Sequence, residues 1–147
     1  MKTTTVEITA IREFLNSWKK EVYEFYLNQL EAMKAEWEKL SKFDWQGHNA
    51  LRKKYGVLVY NARTYGDSGA KYLEKEIEQD AEAKYNNMVA KIQGICGEVT
   101  KANLYIGRNG ELNGYVYGTE GNAEVRTIGA GGYNVQRFHF RTLVKKF

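Results

Sequence analysis

The chain has no proline, one cysteine, two histidines and no extended apolar run. Cys96 alone cannot form an internal disulfide, and an odd thiol is a liability outside a reducing compartment, so a cytoplasmic setting is expected. His48 and His139 lie far apart, and neither has a cysteine or second histidine at ligand spacing, so no metal and no cofactor is expected. No window approaches the roughly 20 apolar residues of a membrane span, and Met1 to Glu7 holds no apolar stretch of signal-peptide length. The sequence thus predicts a soluble, non-exported protein with no membrane partner. The lack of proline fits long uninterrupted elements. Acidic residues are spread over helix surfaces without converging, no base stands near Cys96, and no catalytic residue is expected: the chain reads as a non-enzyme.

What is present describes a packed domain. A chain of 147 residues, 43% hydrophobic and 27% charged, has the composition of a globular core rather than of disorder. One domain over 1–147 is expected, with 1–96 helical and 97–147 forming a sheet. Residues 1–96 hold 15 basic and 14 acidic side chains (+1), and residues 97–147 hold 7 and 4 (+3), which together give the net +4. The positive excess sits in the C-terminal third, where it permits contact with nucleic acid or an acidic protein face.

Helical periodicity governs the first two-thirds. Ile11, Leu15, Trp18, Val22 and Phe25, then Tyr26, Leu30, Met33, Trp37 and Leu40, step by fours and threes with a shift between Phe25 and Tyr26. Thr9 is the expected N-cap of this long helix. A short helix is expected over Asn49 to Tyr55. Val57 to Tyr60 reads equally as strand or helix, because four residues carry too little periodicity. Ser68 is expected to cap a second long helix buried through Leu73, Ile77, Ala81, Tyr85, Met88 and Ile92 and stopped near Gln93 by Gly94 and Gly97. The two read as a long N-terminal antiparallel helical hairpin.

From Val99 the period becomes two, with glycine punctuation, as in strands and hairpins. Strands are expected near 99–107, 111–118, 123–129 and 133–145, a four-stranded antiparallel meander that makes the fold class α+β. A three-residue Arg108-Asn109-Gly110 loop with Gly110 left-handed pairs Ile106 with Leu112 and Leu104 with Gly114. That register puts Leu104, Ile106, Leu112 and Val116 on one face and Tyr105, Asn113, Tyr115 and Tyr117 on the other. A slip of one residue would mix the faces, so this register is expected.

Two surfaces are candidates for binding. Tyr105, Tyr115, Tyr117, Arg126, Arg137, His139 and Arg141 on one sheet face would make a stacking platform for single-stranded nucleic acid. The alternative is that the helices cover this face and bury the tyrosines. Glu74, Glu78 and Glu82 form an acidic helix face that is either solvated or a docking site for a basic partner. Gly129 to Gly132 precedes strand-like sequence and no Gly-Lys-Ser/Thr, so it reads as a turn rather than a phosphate loop.

The stretches Asn103–Gly118 (NLYIGRNGELNGYVYG) and Ala123–Lys145 (AEVRTIGAGGYNVQRFHFRTLVK) resemble small accessory proteins of phages and conjugative elements of Gram-positive bacteria. The resemblance implies a bacterial cytoplasm and a genomic neighbourhood rich in inhibitors of host defence, such as anti-CRISPR proteins. It brings no known site residues. Three readings follow: an inhibitor occupying a surface of a host protein complex such as a CRISPR nuclease, a nucleic-acid-binding protein using the Tyr/Arg sheet face, and a self-assembling homodimer.

Overall fold

A computed structural model describes residues 8–128 and 141–147. Helices α1 (Thr9–Glu38), α2 (Trp45–Tyr55), α3 (Val57–Thr64) and α4 (Gly69–Cys96) precede strands β1 (Val99–Ile106), β2 (Leu112–Gly118), β3 (Asn122–Ile128) and β4 (Arg141–Lys146). The strands form one antiparallel sheet in the order β1-β2-β3-β4, so the fold is the expected α+β arrangement of helices followed by a meander. The chain divides into two compact units: residues up to Lys20 with those from Asp80 onward, and Glu21 to Gln79.

In the first unit α1 begins one residue earlier than its sequence suggests. The Ile8 carbonyl accepts from the N–H groups of Ile11 and Arg12, which makes Ile8 the cap and Thr9 the first helical residue. Ile11, Phe14, Leu15 and Trp18 are buried at helical spacing. From α4 come Ala81, Tyr85, Met88, Ile92 and Cys96, also buried. Arg12 ties the two helical segments together: its guanidinium donates to both Glu82 carboxylate oxygens, at 2.7 and 3.1 Å, and lies 3.5 Å from the centroid of the Tyr85 ring. The expected stop near Gln93 is corrected to Cys96. Burial of Ile92 and Cys96 outweighs the roughly 1 kcal/mol helix cost of Gly94, and the helix ends only where Gly97 takes φ +68.

The sheet has the expected register. Gly107 N–H donates to the Glu111 carbonyl across the Arg108–Gly110 loop, Gly110 is left-handed at φ +83, and Ile106 pairs with Leu112 and Leu104 with Gly114. Leu112, Val116, Ala123, Val125 and Thr127 are buried on one face. The end of α4 lies on that side, where Cys96 Sγ donates to the Val116 carbonyl at 3.5 Å. Leu104 is half-buried and Ile106 is 45% exposed, so cover thins toward the β1 edge. The expected turn at 129–132 and the first part of the last strand, 133–140, lie outside the described residues.

In the second unit Val57 to Tyr60 resolve as part of α3. Met33, Leu51 and Val59 form the unit's buried centre, with Tyr26, Leu30, Trp37, Leu40, Tyr55 and Tyr60 packed around them. Helix α2 starts at Trp45, four residues before the expected Asn49, because the Asp44 carboxylate caps it by accepting from Gly47 N–H at 2.9 Å. Ser68 belongs to a 3-10 turn, and α4 begins at Gly69. A side chain at Gly69 would meet the Ala62 carbonyl at 2.5 Å, so glycine is what lets α3 and α4 approach there.

Candidate nucleic-acid interface

Strand register decides which side chains share the face of the sheet opposite Leu112 and Val116. Across β1, β2 and β3 one row runs Lys101, Tyr117, Asn122; the next runs Asn103, Tyr115, Glu124 and on to Lys145 of β4. A third row runs Tyr105, Asn113, Arg126, Leu143, and Ile128 with Arg141 closes the sheet. Tyr105, Tyr115, Tyr117, Arg126 and Arg141 are thereby brought onto one face. Arg137 and His139 lie outside the described residues.

Exposure follows position on this face. Tyr105 is 61% exposed at the β1 edge, Tyr115 and Tyr117 are half-buried, and Arg126 and Arg141 are exposed. The end of α4 meets the aliphatic side at Val116, and the tyrosines lie on the other side. Lys101, Arg126, Arg141 and Lys145 contribute four positive charges and Glu124 one negative. Lys145 pairs with Glu124 at 3.2 Å, which leaves Lys101, Arg126 and Arg141 as the other cations among the described residues of this face. Phe147, whose N–H donates to the Asn122 carbonyl at 2.8 Å, sets its ring 4.9 Å from Tyr115 at an interplanar angle of 49°.

The spacing carries chemical meaning. Successive outward residues on a strand are about 6.8 Å apart, so Tyr115 and Tyr117 are separated by roughly twice the 3.4 Å rise per nucleotide of one strand of a duplex. Tyr105, opposite Asn113, is the diagonal neighbour of Tyr115, at about 7–8 Å. Bases held on these rings would each need their own tyrosine and could not stack on one another. The surface suits a splayed single strand and not a duplex.

The acidic helix residues divide differently. Glu74 and Glu78 are exposed on α4 in the second unit. Glu82, in the first, is engaged by Arg12, which holds its carboxyl below the usual range. Sequence reading missed Lys101 and Phe147. The parity of β1 already puts Lys101 with Tyr105, and could have found it; the Tyr115–Phe147 contact depends on how β4 ends and had no sequence signal. Cys96 is fully buried and its thiol is pushed up by burial, which suits a structural role. Among the described residues, no three His, Cys, Asp or Glu side chains are grouped to hold a metal ion, and no helix is long and apolar enough to cross a membrane. Comparison with protein-family models, curated proteins and solved structures gives no match.

Proposed function

We propose that this chain is a non-enzymatic binding protein whose Tyr/Arg sheet face holds single-stranded nucleic acid. What supports this is the register that gathers Tyr105, Tyr115 and Tyr117 with Lys101, Arg126 and Arg141 on one face. The tyrosines stack on bases, each worth about 1–3 kcal/mol, and the cations contact phosphates. Three phosphate contacts give a slope of log K against log salt of about −2 for a single strand. The test is fluorescence anisotropy with a short labelled DNA or RNA strand across a salt series. R126Q/R141Q should lower the magnitude of the slope by about 1.4. The variant Y105A/Y117A should weaken binding at every salt concentration while leaving the slope unchanged. Undetectable binding, or binding indifferent to salt, refutes the proposal.

A second reading rests on the resemblance of Asn103–Lys145 to accessory proteins of mobile elements and on the exposure of Glu74 and Glu78. In it the chain inhibits a host defence complex of a Gram-positive bacterium, a CRISPR nuclease among them, in anti-CRISPR fashion. It occupies a basic surface of that complex through these carboxylates. Expression in a defended host should then depress interference against an invading plasmid, and E74Q/E78Q should restore it. Unchanged interference on expression rules this reading out.

A further inference from the structure

The two most exposed aromatic side chains described in the second unit are Phe43, 79% exposed, and Trp45, 68%. Phe43 sits on the short connection between α1 and α2, and Trp45 is the first residue of α2. This turn is held by hydrogen bonds. Phe43 N–H donates to Ser41 Oγ at 3.2 Å, Asp44 N–H to the Ser41 carbonyl at 3.0 Å, and Trp45 N–H to the Phe43 carbonyl at 3.0 Å. The rings are therefore presented by a fixed backbone, and each forgoes the transfer free energy that burial would provide. Three aromatic neighbours of the same unit, Trp37, Tyr55 and Tyr60, do pack against its core. Tyr65 of the same unit is exposed as well, but its ring stacks on that of Tyr72 with centroids 4.8 Å apart.

The charges around the rings name the occupant. Lys39 and Lys42 lie within four residues of Phe43, and the Lys42 ammonium is 5.4 Å from the centre of its ring. Arg52 follows Trp45 by seven residues, which puts it on the same side of α2, about 10.5 Å along the axis. The opposing carboxylates are Glu38 and Asp44, and Asp44 is engaged as the cap of α2. An indole and a phenyl ring flanked by long-stemmed cations match a membrane interface. Aromatic rings settle at headgroup depth, lysine stems lie along apolar surface with the ammonium in water, and anionic headgroups attract basic residues.

We infer that the Phe43–Trp45 turn docks the protein peripherally onto an anionic phospholipid surface. The contact is independent of the sheet face and inserts side chains without spanning the bilayer. The experiment is sedimentation of the full chain with vesicles of phosphatidylglycerol and phosphatidylcholine, and with phosphatidylcholine alone. Binding is expected to the anionic vesicles at low salt, weakened by added salt, and negligible on the neutral ones. F43A/W45A should bind at least about tenfold more weakly, with unchanged thermal melting because both side chains are exposed. K39Q/K42Q should bind about fivefold more weakly per lysine removed. Trp18 is buried and Trp37 half-buried, so a blue shift of tryptophan emission on vesicle addition reports Trp45 and should vanish in W45F. Absence of binding to anionic vesicles at low salt, or undiminished binding by F43A/W45A, overturns the inference. So does a wild-type dimer that F43A/W45A converts to monomer, or a loss of oligonucleotide binding by that variant with vesicle binding unchanged.

Discussion

Two glycine-to-alanine substitutions should move stability in opposite directions. Gly114, in the middle of β2, has φ +139, and a Cβ built there would lie 2.0 Å from the Asn103 carbonyl oxygen and 2.8 Å from Leu104 Cα. Both obstacles are backbone, so no side chain can swing aside. An alanine must either keep a φ that L residues rarely adopt, at about 1–3 kcal/mol, or force β1 away from β2 and weaken the ladder around Leu104, at about 1 kcal/mol per hydrogen bond. The expected loss for G114A is about 3 kcal/mol, a large share of the roughly 5–15 kcal/mol that holds a typical domain. Gly94 is exposed within α4, and beyond its chain neighbours and the helix's own backbone nothing among the described residues lies within 4 Å of a Cβ placed there. G94A should therefore gain about 0.5–1 kcal/mol from helix propensity. Urea denaturation followed by far-ultraviolet circular dichroism measures both, with an unchanged denaturant slope showing that the same surface unfolds. A G114A variant within about 1 kcal/mol of wild type, or a G94A variant that is less stable, would refute the reasoning. Since Gly114 separates Asn113 from Tyr115, a folded G114A should also lose affinity for a single strand.

Thr127 is 4% exposed, and its hydroxyl oxygen accepts from Leu112 N–H at 2.9 Å. T127V orphans that buried donor at about 1–3 kcal/mol and recovers only about 0.8 kcal/mol from the added methyl. Denaturation should find it less stable than wild type; a T127V as stable as wild type contradicts this account. In the second unit the Glu36 carboxylate accepts from the Tyr55 hydroxyl and, at 3.0 Å, from Lys54 Nζ. The tyrosine bond first and the lysine second hold its carboxyl below the ordinary value of 4.5. A depressed folded-state pKa means the contribution is present above that value and is lost as pH falls through the lowered one. The stability of E36Q should accordingly fall less than that of wild type on acidification, and parallel acid limbs would remove Glu36 from the explanation.

How much was legible in the sequence depended on how many residues voted together. The α4 stripe from Leu73 to Ile92 was readable because six positions agree on one face, and all six are buried. The β1–β2 register was readable because a one-residue slip would have moved every aliphatic residue to the tyrosine side. Val57 to Tyr60 offered only four residues, and its helical state came from the packing of Val59 against Met33 and Leu51. The start of α2 was misjudged because Trp45 was not recognised as part of a helix, while the Asp44 cap that sets the boundary is local chemistry. For the candidate interface, parity alone grouped the tyrosines with Arg126 and Arg141. Parity could not say which face α4 meets; that follows from the contact of Cys96 with Val116. Phe43 and Trp45 were illegible because an aromatic pair beside a helix ordinarily signals core.

The first compact unit is discontinuous, with Glu21–Gln79 lying between its two stretches of chain. Joining those stretches is inexpensive at equilibrium, since each doubling of an intervening loop adds only about 0.6 kcal/mol. The cost falls instead on synthesis. Ile11, Phe14, Leu15 and Trp18 leave the ribosome before Leu112, Val116 and Val125 of the same unit, with all of Glu21–Gln79 made in between. Until then an apolar helical segment has no sheet to complete its unit, and in that interval aggregation and chaperone capture compete with folding.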